Sequence, residues 1–201
     1  MKSYLERFKK MVEELKNHPQ IEVKEFVVNP PATDEQIETA QERFNLTPDM
    51  LDFYKLANGL KLTWTIKGET DGFDDGYVDL LPVEEVFMDW SESLDTEEFP
   101  EFEPLHPFDY FRPEGCAAFY LNEETENPEV YFLNNGSGEM SELKLDFKSY
   151  MDLLLETKGF FYWQSARASS LEGNNNFQER NLKTKLPKLF PDINLENIFE
   201  N

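Results

Sequence analysis

The chain has 201 residues, of which 39% are hydrophobic and 14% aromatic, with 18 Phe among them. That size fits one domain with a tail, and that apolar content offsets chain entropy well enough to argue against global disorder. The 19 basic and 41 acidic residues give a net charge of −22 at pH 7, which repels phosphate backbones and anionic membranes and argues against direct nucleic-acid or membrane binding.

The segment MKSYLERFKK alternates charge where a signal peptide would carry an apolar run. No stretch approaches the roughly 20 apolar residues of a membrane span, so a cytoplasmic protein is expected. The lone Cys116 excludes an intramolecular disulfide and reads as a small buried hydrophobe.

In chain order, Ser3 and Glu6 form a capping box ahead of Leu5, Phe8, Met11, Val12 and Leu15 on one helical face. That helix ends before His18-Pro19, and Ile21 to Val28 follows as a strand closed by Asn29-Pro30-Pro31. Thr33 with Gln36 starts a second helix bearing Ile37, Ala40 and Phe44. Thr47-Pro48-Asp49 opens a third, which Asn58-Gly59 stops. From Leu60 the period changes to two, with Leu62, Trp64 and Ile66 on one face of a strand.

Gly68 to Gly76 reads as a loop, Tyr77 to Leu81 as a strand, and Pro82 as the opening of a short helix with Val83, Val86 and Phe87. Residues 91–109 read as irregular. Cys116 to Leu121 and Val130 to Leu133 read as paired strands, and a turn at Asn134 to Gly138 leads to a last strand near Leu143-Lys144-Leu145. Asp146 caps a helix through Leu155 that stops near Gly159. Helices, then strands, then a helix predict an α+β fold whose mixed or antiparallel sheet has about 4–6 strands. Composition shifts after Gly159, and Arg180, Lys183, Lys185 and Lys188 make the tail basic. The expected organisation is a domain over 1–158 and a helical C-terminal extension over 159–201, whose basic residues could fold back on the acidic ones.

The acid is unevenly placed: 15 Asp or Glu and no Lys or Arg occur among residues 68–111. Either this is a solvated, solubilising surface or it is a docking face for a basic protein. The aromatics interleaved with it would supply apolar anchors. On the docking reading the partner-binding residues are Asp71, Asp74, Asp75, Glu97, Glu98, Phe99, Glu101, Phe102 and Glu103.

Other chemistry has little material. Two histidines, His18 and His106, and one cysteine do not furnish the usual three or four ligands of a zinc site. Asp71, Asp75 and Gly76 resemble part of a calcium loop, but Phe73 and Pro82 stand where that loop needs ligands. Gly136-Ser137-Gly138 lacks the lysine of a phosphate loop, and neither histidine lies in a nucleophile motif. Carboxylates are so numerous that no pair marks acid–base catalysis. No cofactor, metal or catalytic residue is therefore assigned.

Pro30-Pro31-Ala32-Thr33-Asp34-Glu35-Gln36-Ile37, Leu46-Thr47-Pro48-Asp49 and Phe53-Tyr54-Lys55-Leu56-Ala57-Asn58-Gly59 together resemble the SUKH superfamily, which includes fungal cell-wall assembly regulators and bacterial immunity proteins. Gly115 to Leu121, Pro128 to Phe132 and Phe147 to Leu155 are similar to its closing strands and last helix. The chain departs from the family pattern at Leu46-Thr47-Pro48, at Gly115-Cys116 and in the length of its tail. The resemblance implies a non-enzymatic α+β binding domain. Its role would be that of an immunity protein neutralising a co-encoded toxin, for instance a nuclease, or of a regulatory adaptor of cell-wall or glucan synthesis.

Overall fold

A computed structural model describes residues 3–69, 74–112, 115–121, 127–134 and 136–199. Helix α1 (Tyr4–Asn17) precedes strand β1 (Ile21–Val28), helices α2 (Asp34–Arg43) and α3 (Pro48–Tyr54), and strands β2 (Leu60–Ile66) and β3 (Gly76–Leu80). A single turn, α4 (Val83–Val86), leads through a long connection to β4 (Leu105–Arg112), β5 (Gly115–Tyr120), β6 (Glu129–Asn134) and β7 (Glu139–Glu142). Helices α5 (Phe147–Thr157), α6 (Trp163–Leu171), α7 (Phe177–Leu189) and α8 (Glu196–Phe199) follow. The strands form one sheet in sequence order, each antiparallel to the next. The fold is α+β as expected, with seven strands among the described residues.

Both capping boxes form. The Ser3 N–H donates to Glu6 Oε2 at 2.9 Å and the Thr33 N–H to Gln36 Oε1 at 2.9 Å. Thr47 caps α3 with Pro48 inside its first turn, where a missing N–H costs nothing.

The additional strand is β4, eight residues that partly overlap the stretch read as irregular. Pro107 cannot donate to a ladder and Asp109 disfavours strands, which hides the pattern. The register shifts on either side of Asp109, so apolar residues there do not alternate simply. The last strand also sits earlier than expected. Lys144 adopts a left-handed φ of 51°, so the strand closes at Glu142, while Val130 still accepts from the Leu143 N–H and donates to the Leu145 carbonyl, both at 2.9 Å.

Alternation along β5 gives the sheet two covered faces. Ala117 and Phe119 point into the main core under the helices, whereas Cys116 and Ala118 point into a second cluster with Leu94, Phe102, Leu105 and Leu133. The connection between α4 and β4 covers that second face. Gly76 lies against the buried Trp64, where a Cβ would fall 1.8 Å from the indole nitrogen.

Residues 159–199 share the main core. Phe160, Trp163, Ala166, Leu182, Leu186 and Ile198 are all buried in it. The Trp64 indole N–H donates to the Lys158 carbonyl and the Tyr77 N–H to the Gly159 carbonyl, each at 2.7 Å. Arg167, 2% exposed, donates to the Leu143 and Ile198 carbonyls at 2.7 and 2.6 Å.

Candidate functional site

The acidic segment separates into two places on either side of β3. Asp71 lies outside the described residues. Asp74, only 3% exposed, pairs with the Lys185 ammonium and accepts from Asn181 Nδ2 at 2.9 Å, both on α7. The basic tail thus folds back at this carboxylate. Half-buried Asp75 offers its carbonyl to the Phe161 N–H at 2.8 Å.

Beyond β3 and α4, the connection 87–104 carries the rest of the set. Its apolar residues fasten it to the sheet. Leu94 and Phe102 are buried in the second cluster, and half-buried Phe99 stacks on Phe102 at 5.1 Å and packs over Gly138. Trp90 stacks on Tyr110 at 5.9 Å and donates its indole N–H to the Glu85 and Val86 carbonyls at 3.0 and 3.2 Å. Turns close within the connection, among them Leu94 N–H to the Trp90 carbonyl and Phe99 N–H to the Asp95 carbonyl, both 2.9 Å.

Most of what remains outward is acid. Glu84, Glu85, Asp89, Glu92, Asp95, Glu97, Glu98, Glu101 and Glu103 are all exposed. Glu97, Glu98, Glu101 and Glu103 of the expected set therefore face solvent on one connection, whereas Phe102 anchors it from beneath. Burial, then the charges of Glu84 and Asp79, raise the Glu85 carboxyl above the usual carboxylate range. Hydrogen bonds from Ser91 hold Asp89 below it.

Sequence reasoning did not find the residues that hold α4 in place. Both oxygens of Glu84 accept from side-chain amides: Gln36 Nε2 at 2.7 Å and Asn58 Nδ2 at 2.8 Å. The Asn58 Oδ1 accepts the Val83 N–H at 2.8 Å, and Asn29 Nδ2 donates to the Asn58 carbonyl at 2.8 Å. Gly59, at φ 90°, passes so close to β3 that a Cβ would lie 2.4 Å from the Leu80 carbonyl oxygen. The only signal was the pair of motifs, Thr33-Gln36 and Asn58-Gly59, whose shared target, Glu84, lies 48 positions beyond Gln36 and 26 beyond Asn58.

A second unforeseen group is buried under the sheet. Asp109 accepts the Asp79 N–H at 2.9 Å and the Tyr150 hydroxyl at 2.7 Å, and Tyr150 in turn accepts from Gln164 Nε2 at 2.8 Å. Desolvation dominates and pushes the Asp109 carboxyl up to about 7, against the lowering effect of those two hydrogen bonds.

Each histidine is tied to a main-chain carbonyl, His18 to Leu189 at 2.9 Å and His106 to Val86 at 3.1 Å. Burial lowers the His106 pKa. Among the described residues no three His, Cys, Asp or Glu side chains are placed to share a metal ion, and no helix is long and apolar enough to cross a membrane.

These features define an α+β protein that presents a rigidly backed, acidic surface. The chain belongs to the SMI1/KNR4 family (SUKH-1), whose model matches residues 31–156, the span from Pro31 through α5. Membership supports a non-catalytic immunity or regulatory role involving protein–protein interaction. A comparison with curated proteins returned no match.

Proposed function

We propose that the chain is a cytoplasmic immunity protein that neutralises a co-encoded toxin, of nuclease type, by covering its basic active-site region with the acidic surface of residues 84–103. The observation that carries this reading is the run of nine exposed carboxylates, two on α4 and seven on the connection after it, with no Lys or Arg among them, backed by buried Leu94 and Phe102. Such a surface accelerates encounter with a cationic partner, and apolar contacts then set the lifetime of the complex. We assign partner contact to Glu97, Glu98, Phe99, Glu101 and Glu103. Asp74 and Asp75 belong to the flank of the same field, Asp71 is grouped with them from the sequence alone, and Phe102 acts from below. Residues 1–158 form the family unit in this reading, and 159–201 are a C-terminal extension whose described part shares its core.

The test is binding to the product of the adjacent gene. Glu97→Lys, Glu98→Lys, Glu101→Lys and Glu103→Lys combined should slow association at least tenfold at low salt and flatten its salt dependence. Unchanged association with a verified toxin sinks the placement of the face. Binding only to an envelope-synthesis protein would favour the regulatory adaptor.

A further inference from the structure

Helices α2 and α4 enclose a depression of 290 Å³ beside the acidic connection. Its floor is Ala40 and Phe87, both buried, and its lip is Met88, 37% exposed and one of only four large hydrophobic residues exposed to that degree among those described. On the far side of Met88 a second depression of 300 Å³ runs under Trp90 and Leu94. Each is at or below the small end of the roughly 300–1,000 Å³ of ligand pockets, a size suited to individual side chains. Met88 is therefore an adaptable apolar ridge between two shallow receptacles.

The walls are fixed before any partner arrives. Glu84 is held by Gln36 and Asn58. The Arg43 guanidinium donates to the Phe87 carbonyl, and Phe87 stacks on Phe44 at 5.9 Å. Preorganisation of this kind removes the ordering cost of binding. Acid surrounds the two depressions: Glu35 and Glu84 line the first and Asp89 and Glu103 the second, and exposed Glu42 and Glu85 lie on the same helices α2 and α4. Arg43 is the one cation among the lining residues. Glu85, its carboxyl raised by burial and then by the charges of Glu84 and Asp79, gains from an approaching cation.

We propose that this Met88-centred groove seats one basic amphipathic helix of the partner protein, with apolar side chains on either side of Met88 and Lys or Arg opposite Glu35, Glu85 and Asp89. An apolar floor between two helices with a charged rim suits the helix-in-groove mode of recognition, in which residues one turn apart supply the anchors. The inference rests on the binding reading above and adds where the contact centres and what the partner offers.

Two synthetic probes separate the two ideas: a Lys/Leu helix of about 18 residues with its leucines in one stripe, and a scrambled peptide of the same composition without the stripe. Titrated into the full chain at low salt, the striped peptide should bind about tenfold tighter than the scrambled one. Met88→Ser, at an exposed position, should weaken the striped peptide about fivefold and leave the scrambled one unchanged. Equal, salt-sensitive binding of both peptides overturns the groove and leaves the acidic-face reading standing. A striped preference that survives Met88→Ser but disappears on reversing Glu97, Glu98 and Glu101 also overturns it, moving the contact to the connection. Binding by neither peptide overturns both.

Discussion

Asp109 is the sharpest physical test of this structure. Its carboxyl is fully buried and is pushed from 3.8 to about 7, so the folded chain holds a proton that the unfolded chain has lost. A raised acid contributes most to stability below its unfolded value near 3.8, and that contribution is lost as pH climbs through about 7. At 1.36 kcal/mol per unit the full loss is about 4 kcal/mol, of which about 3 falls between pH 5 and pH 8. Asp109→Asn keeps an oxygen for the Asp79 N–H. Its amide can donate to Tyr150, whose hydroxyl then donates to Gln164 after a turn of that side-chain amide. Urea unfolding of both proteins at pH 5 and pH 8 isolates the group, because the other carboxylates cancel in the difference. The variant should gain about 3 kcal/mol on the wild type between the two pH values. A difference that stays constant with pH refutes the assignment of a buried, proton-holding Asp109.

The remaining expectations concern packing. Gly76→Ala drives a methyl group into the Trp64 ring and displaces the indole from the Lys158 carbonyl, so thermal unfolding should show a loss of about 3 kcal/mol. Lys185→Ala leaves Asp74, 3% exposed, with Asn181 as its remaining described side-chain partner. Because Lys185 is itself 40% exposed, the cost should be about 1–3 kcal/mol, measurable by denaturant titration. Truncation after Lys158 removes Trp163, Leu182, Leu186 and Ile198 from the main core. The shortened chain should bind hydrophobic dye and lose cooperative unfolding.

Elements whose signals are local were readable from sequence. The caps at Ser3, Thr33 and Thr47, the stop at Asn58-Gly59 and the alternation from Leu62 to Ile66 all depend on neighbours within a few residues, and each marks the element it predicts. Strand β4 was not readable, because its pairing is repaired by a side chain: the Asp109 carboxylate takes the Asp79 N–H across 30 positions. The packing of 159–199 was hidden for a similar reason. Its basic residues suggested a return to the acidic segment, which Lys185 makes at Asp74, but nothing local marked Arg167 for burial on two carbonyls. Within the acidic segment the charge was legible and the burial was not. Nothing local separates Asp74, locked under α7, from exposed Glu97, nor Phe102 beneath the connection from half-exposed Phe99.

The motifs that carry the family resemblance do framework work. Gln36 and Asn58 converge on Glu84, Gly59 lets β2 pass close to β3, and together they set α4 and the start of the connection. The outward carboxylates from Glu92 to Glu103 are a different case: the connection is held from below by Trp90, Leu94 and Phe102 and by its own turns. Exchanging such exposed charges costs folding little, since surface substitutions usually stay within about 0.5 kcal/mol. Their effect on the surface potential is large by comparison, because no cation lies within the run. A frame that tolerates changes of surface charge at small folding cost can be fitted to different partners, and on the binding reading proposed above the motifs identify the family while partner selection falls to the connection and the Met88 groove.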